Sequence, residues 1–175
     1  PSSLNILSVR LLIYYQMSLS KSEKAAGIVL AALMFWVTLF STYFFLGRLK
    51  LGLADWIAFN SCAPVCYLFI LFFTVFFIRG QYVWLALTTL PVYYLGTLSM
   101  FVLPWTGTYL FAHAGHIIMT LSMFWALYVL ISHKQFKALA TGLLLSILFF
   151  GPYIAHVQTY NQKHASRLTE LMGRP

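Results

Sequence analysis

Long apolar stretches alternate along this chain with short polar connections. Each of five stretches has about the 20 residues that a helix needs to cross the hydrocarbon of a bilayer. They are residues 25–46, 55–78, 82–103, 107–131 and 138–160. Because the connections are short, consecutive helices are expected to be antiparallel neighbours. The pattern predicts an all-α fold, a polytopic transmembrane helix bundle of about five spans.

The remaining residues divide the chain into three parts. Residues 1–24 carry Arg10 and Tyr14 among apolar residues, a pattern typical of a helix that lies in the membrane interface. Residues 25–160 form the predicted five-span bundle, and residues 161–175 form a polar C-terminal tail.

Proline falls inside the third and fifth predicted spans. Pro91 falls inside the third stretch and Pro152 inside the fifth. Proline lacks a backbone N–H, and its ring clashes with the preceding helical turn. Each proline therefore predicts a kink.

The composition supports a membrane environment. Hydrophobic residues make up 61% of the chain and charged residues 8%, against about 25% charged in a soluble domain. The net charge of +8 raises the question of nucleic acid, but the basic residues lie at the ends of the spans. Attraction to anionic lipid headgroups explains that placement, so we expect membrane lipids as partners and no nucleic acid.

Lysine and arginine near the span ends predict the orientation. The side that holds the N-terminus collects Arg10, Lys21, Lys24, Arg79, Lys134 and Lys137. The opposite side collects Arg48, Lys50, Lys163, Arg167 and Arg174. The first side has one more basic residue, so we expect the N-terminus to be cytoplasmic.

The fourth and fifth predicted spans each carry a polar stripe. The stripe on the fourth is Tyr109, His113, His116 and Thr120, and the stripe on the fifth is Ser146, Tyr153, His156 and Tyr160. Spacings of three, four and seven residues place side chains on one face of a helix. Polar side chains join neighbouring helices in membranes, so we expect the two stripes to face each other.

Three histidines of these stripes are expected at similar depth. His113 and His116 lie roughly 9 and 14 Å from the start of the fourth span, and His156 lies roughly 6 Å from the end of the fifth. Asp55 and Asn60 open the second span from the same side. We therefore expect a polar pocket between the second, fourth and fifth spans.

The three histidines allow three interpretations. His113, His116 and His156 could bind a metal ion, since neutral imidazole suits zinc and copper. They could instead supply axial ligands to a porphyrin-type cofactor, with Tyr109 and Tyr153 beside it. In the third interpretation they are structural and bond across the helix interface.

No catalytic motif accompanies these residues. The chain contains no H-E-x-x-H, G-x-S-x-G, G-x-G-x-x-G or C-x-x-C-H sequence, which are the signatures of zinc proteases, hydrolases, nucleotide sites and covalent haem. Cys62 and Cys66 lie in an apolar stretch and suit a helix core. Enzymatic activity stays open, and would depend on histidine, tyrosine and Asp55.

Two functions fit this pattern. The first is an accessory or cofactor-carrying subunit of a larger membrane complex or homo-oligomer, with a histidine-lined site between the fourth and fifth spans. The alternative is a transporter or channel for a small solute, acting as an oligomer, in which the proline-containing helices supply backbone groups to the solute.

Overall fold

The computed structural model describes residues 19–107 and 109–173. Within these ranges the chain forms α-helices, two π-helical segments and turns, without a strand. Five helices are long and apolar enough to cross a membrane, which confirms the predicted all-α bundle. We number them apolar helices 1 to 5: Lys21–Arg48, Cys62–Arg79, Tyr82–Val102, Tyr109–Ser132 and Phe136–Lys163.

A capping box begins apolar helix 1 at Lys21. Ser20 Oγ accepts a hydrogen bond from the backbone N–H of Glu23 at 3.2 Å, and the Glu23 carboxylate accepts one from the N–H of Ser20 at 2.7 Å. These bonds satisfy two N–H groups at the helix start. Residues 21–24 of the predicted interfacial segment therefore form the first turn of this helix. Residues 1–18 of that segment lie outside the described residues.

The second predicted span, residues 55–78, is not one helix as expected. A short helix, Leu53–Phe59, is followed by a break, and apolar helix 2 starts only at Cys62. Asn60 lies in the break with φ −118° and ψ 44°. Pro64 explains the break, because in a continuous helix its ring would clash with the carbonyl of Asn60, four residues earlier. In the first turn of apolar helix 2 the proline is tolerated.

Apolar helix 3 is interrupted where Pro91 predicted a kink. The helical turns Tyr82–Leu87 and Thr89–Val92 are separate, and the π-helical segment Tyr93–Thr97 follows them. Pro91 stands four residues after the last residue of the first segment, so the same steric conflict applies. Pro152, in contrast, lies inside apolar helix 5 without interrupting it.

Two glycines bring helix pairs into close contact. At Gly142 of apolar helix 5, an added Cβ would lie 2.4 Å from Ala86 Cβ and 3.0 Å from the backbone nitrogen of Leu87. At Gly27 of apolar helix 1, it would lie 2.4 Å from the indole ring of Trp125. Small residues let helix backbones approach in this way. Apolar helix 5 therefore packs on helix 3, and helix 1 packs on helix 4.

Replacing Gly142 by alanine is expected to destabilise the bundle by about 1–3 kcal/mol, because the new methyl group meets backbone atoms of apolar helix 3. Gly151 is the matched control in the same helix, since an added Cβ there meets nothing within 4 Å. Gly151→Ala is expected to be neutral or to stabilise by about 0.5–1 kcal/mol. Thermal unfolding in detergent measures both. Equal stability of the two variants would contradict the close packing.

Candidate functional site

The polar stripe of apolar helix 4 points into the bundle. His113 is 1% exposed, His116 is 4% exposed and Thr120 is also buried. Tyr109 is half-buried, and its hydroxyl has no hydrogen-bond partner in the described ranges. The two histidines are therefore the interior part of the stripe.

The surroundings of His113 determine which of its ring nitrogens carries the proton. Its ring stacks on Trp105 with the centres 3.9 Å apart and the planes 4° apart. Its Nε2 lies 3.1 Å from the carbonyl oxygen of Pro104. Because a carbonyl can only accept, Nε2 carries the proton and donates it. In the neutral ring Nδ1 then holds an unprotonated lone pair, and this buried atom has no hydrogen-bond partner in the described ranges.

His116 is the second buried imidazole of this stripe. Its ring centre lies 6.0 Å from that of His113, with the planes 76° apart. Its Nδ1 is buried without a partner, and neither ring nitrogen makes a hydrogen bond to the described residues. Its backbone carbonyl accepts from Thr120 Oγ1 at 2.8 Å, and that hydroxyl in turn lies 3.0 Å from the hydroxyl of Thr97. The Thr97–Thr120 bond joins apolar helices 3 and 4.

The polar stripe of apolar helix 5 faces the break before helix 2. Tyr153 donates from its hydroxyl towards the carbonyls of Ile57 and Ser61, at 3.2 and 3.1 Å. Tyr160 donates to the Asp55 carboxylate at 2.7 Å. The hydrogen bonds of this stripe thus go to the short helix and the break, while those of the helix 4 stripe go to Thr97 of helix 3 and to Pro104 in the connection that follows it. The expectation that the two stripes bond to each other was wrong.

His156 lies apart from the other two histidines. Its side chain is exposed on the bundle surface, with the ring of Tyr160 as its aromatic neighbour at 6.1 Å. In the described part of the chain, no three His, Cys, Asp or Glu side chains are grouped so that they could hold a metal ion. The structure therefore does not assemble the predicted three-histidine metal site.

A porphyrin does not fit at the interior histidines. Trp105 covers one face of the His113 ring, and both His113 and His116 are almost fully enclosed. A macrocycle needs an open face above its ligand. Among the three, only the exposed His156 leaves such space, so an axial role stays a prediction for that residue.

A charged cluster that sequence reasoning missed lies at the end of apolar helix 5. Asp55, which is 7% exposed, pairs with Arg167 of the C-terminal helix Ala165–Gly173 at 2.8 Å. The ring of His164 stacks on that of Tyr160 with the centres 4.2 Å apart. The residues expected to form a polar tail are thus largely helical.

The sequence held a signal for this cluster. His164 and Arg167 follow Tyr160 at spacings of four and three residues, which continues the polar stripe of apolar helix 5. The prediction missed it because the bundle was taken to end at residue 160 and the tail to begin at residue 161.

Comparison with known proteins adds no assignment. The chain matches no family model, no curated protein and no solved structure. Any functional assignment therefore depends on the chain's own side chains.

Removing the hydroxyl of Tyr153 is expected to destabilise the bundle by about 1 kcal/mol, because the O–H that reaches the carbonyls at the break is lost. Tyr109→Phe is the matched control, since that hydroxyl bonds to none of the described residues, and it should leave stability unchanged. Thermal unfolding of Tyr153→Phe and Tyr109→Phe in the same detergent measures the difference. Two equally stable variants would show that Tyr153 does not support the break.

Proposed function

We propose that the chain is a non-enzymatic accessory subunit of a larger membrane complex, docked through the outer face of apolar helix 1. This helix packs on the bundle through one narrow strip. The buried residues of that strip are Gly27, Ala31, Met34 and Thr38. Most of the rest of the helix surface is exposed, so lipid or another protein must cover it.

Trp36 is the observation that carries this proposal. It lies one to two residues, about 2 Å along the axis, from the midpoint of apolar helix 1, Lys21–Arg48. Its side chain is 61% exposed, and its indole N–H has no acceptor in the described part of the chain. Tryptophan prefers the membrane interface, where its N–H is satisfied. An unpaired donor near the bilayer centre costs about 1–3 kcal/mol, which a partner helix with a carbonyl or hydroxyl acceptor would offset.

The neighbour of Trp36 extends the same face. Phe40 is 60% exposed and packs edge-on against Trp36, with the ring centres 5.2 Å apart. Aromatic side chains are common anchors at protein interfaces because they bury a large area with few rotatable bonds. We define Trp36 and Phe40 as the outer aromatic pair.

The outer surface of apolar helix 5 has a different chemistry. Its exposed large side chains include Leu144, Ile147, Leu148 and Phe149. None of these four carries a polar atom in its side chain, so lipid tails satisfy them. We therefore assign the partner to helix 1 and lipid to this part of helix 5.

The proposed orientation follows from charge. Apolar helix 1 begins with Lys21, apolar helix 2 ends with Arg79, and Lys134 follows apolar helix 4. With five crossings, these three residues lie on the side that carries one basic residue more than the other. Under the positive-inside rule, we propose that this side is cytoplasmic and that the break before helix 2 faces the other side.

Replacing Trp36 by phenylalanine is expected to weaken association with partner subunits, because the aromatic bulk remains while the N–H donor is lost. Phe149→Leu on apolar helix 5 is the matched control and should leave the association intact. Membranes are solubilised into native lipid nanodiscs, and the mass of the particle is measured by light scattering. A wild-type particle that holds only one copy of this chain would contradict the subunit assignment.

The break before apolar helix 2 favours a second candidate function, a small-solute transporter. Interrupted helices supply backbone groups to solutes in such proteins. Asn60 in the break is 3% exposed, and its buried amide nitrogen has no partner among the residues that the structure describes. A solute could accept a hydrogen bond there.

A transport pathway at the break predicts that water reaches Cys62, whose thiol lies 3.3 Å from the Asn60 side-chain oxygen. A membrane-impermeant maleimide added outside intact cells should then label the wild-type chain, and Cys62→Ser should abolish the label, since Cys66 is buried. Labelling only in permeabilised cells would reverse the proposed orientation. The absence of labelling in both preparations would contradict a pathway at the break.

A further inference from the structure

The His113–His116 pair has a property that the docking proposal does not use. His113 donates from Nε2 to a backbone carbonyl and keeps a bare lone pair on Nδ1. Metal-ligating histidines commonly show this arrangement, because the outer hydrogen bond fixes the tautomer and orients the ring. The side chain is 1% exposed, so bulk water does not meet this nitrogen.

The second imidazole lies beside the first. Two nitrogens that bind one ion, each at about 2 Å, lie within about 4 Å of each other. The 6.0 Å separation of the two ring centres is compatible with that distance. The i and i+3 positions on one helix place His113 and His116 on the same face.

We propose that His113 and His116 form a two-histidine site for a monovalent soft metal ion, cuprous copper. Both ligands are neutral, so the site carries only the charge of the ion, and a single charge costs less to bury than two. Imidazole is a good copper ligand. This site does not depend on the docking of apolar helix 1.

The ligand count argues against zinc at the same place. Structural zinc takes four ligands and catalytic zinc takes three from the protein, and the described ranges offer no group of three His, Cys, Asp or Glu side chains. Cuprous copper accepts fewer ligands and favours thioether sulfur as a third. The thioether of the buried Met119 packs against Gly96 of apolar helix 3, so the site is counted as two histidines.

The test uses the purified full-length chain in detergent with Cys62 and Cys66 replaced by serine, because free thiols bind soft ions more tightly than imidazole does; this chain serves as the wild type for the histidine variants. The probe is silver(I), which resembles cuprous copper in charge and softness and is not oxidised by air. The chain contains five histidines, and labelling them with ¹⁵N makes each ring nitrogen visible by magnetic resonance. On adding one equivalent of silver(I), the Nδ1 signals of His113 and His116 should shift, and those of the other three should not.

Variants then locate the site. In the same cysteine-free chain, His116→Gln keeps a side chain of similar length and is expected to lower silver(I) and copper(I) binding from about one ion per chain to none. Elemental analysis after gel filtration measures the bound metal, with ascorbate present for copper. His156→Ala is the control and should bind like the wild type. Thermal unfolding checks that both variants are folded.

Three outcomes would overturn the proposal. One is a ¹⁵N spectrum of the folded wild-type chain that does not change when silver(I) is added. Water would then be the partner of the Nδ1 atoms of His113 and His116. Another is a shift confined to His133, His156 or His164. The third is full metal binding by folded His116→Gln.

Discussion

Backbone hydrogen bonding is the constraint on which the rest of this structure depends. In hydrocarbon, each unpaired N–H or C=O group costs several kcal/mol, so a break within a span needs a partner for every group that it frees. Pro64 causes such a break, and the hydroxyl of Tyr153 approaches two of the carbonyls beside it. Apolar helix 5 is thus held against the short helix by a requirement that comes from a proline on another helix.

The same constraint explains which features the sequence could predict. Length and apolar composition suffice for five helices, because any long apolar segment in a membrane must satisfy its own backbone. The break at Asn60 was missed, although Pro64 lies nine residues inside the predicted stretch 55–78. A proline ring clashes with the carbonyl four residues before it. The break therefore falls at Asn60 and not at the proline itself.

Helix rotation was the second feature that the sequence could not supply. The spacing of His113, His116 and Thr120 correctly indicated one face, and burial shows that this face points inward. Which helix it meets depends on contacts such as that between Gly142 and Ala86, and no periodicity within one helix determines these. The His156 stripe was turned towards Asp55 for the same reason, and the three histidines consequently separated.

The unpaired groups of the bundle differ in what can satisfy them. The indole N–H of Trp36 is a donor on the outer surface, near the middle of a long apolar helix. Its acceptor must be an oxygen atom of another membrane-embedded molecule. The Nδ1 atom of His113 is an acceptor enclosed by Trp105 and the bundle core, and it can be met only by a small donor or an ion. A partner protein cannot reach the second group, and a metal ion does not satisfy the first. Docking and ion binding therefore follow from separate physical requirements in one chain, and each can hold without the other.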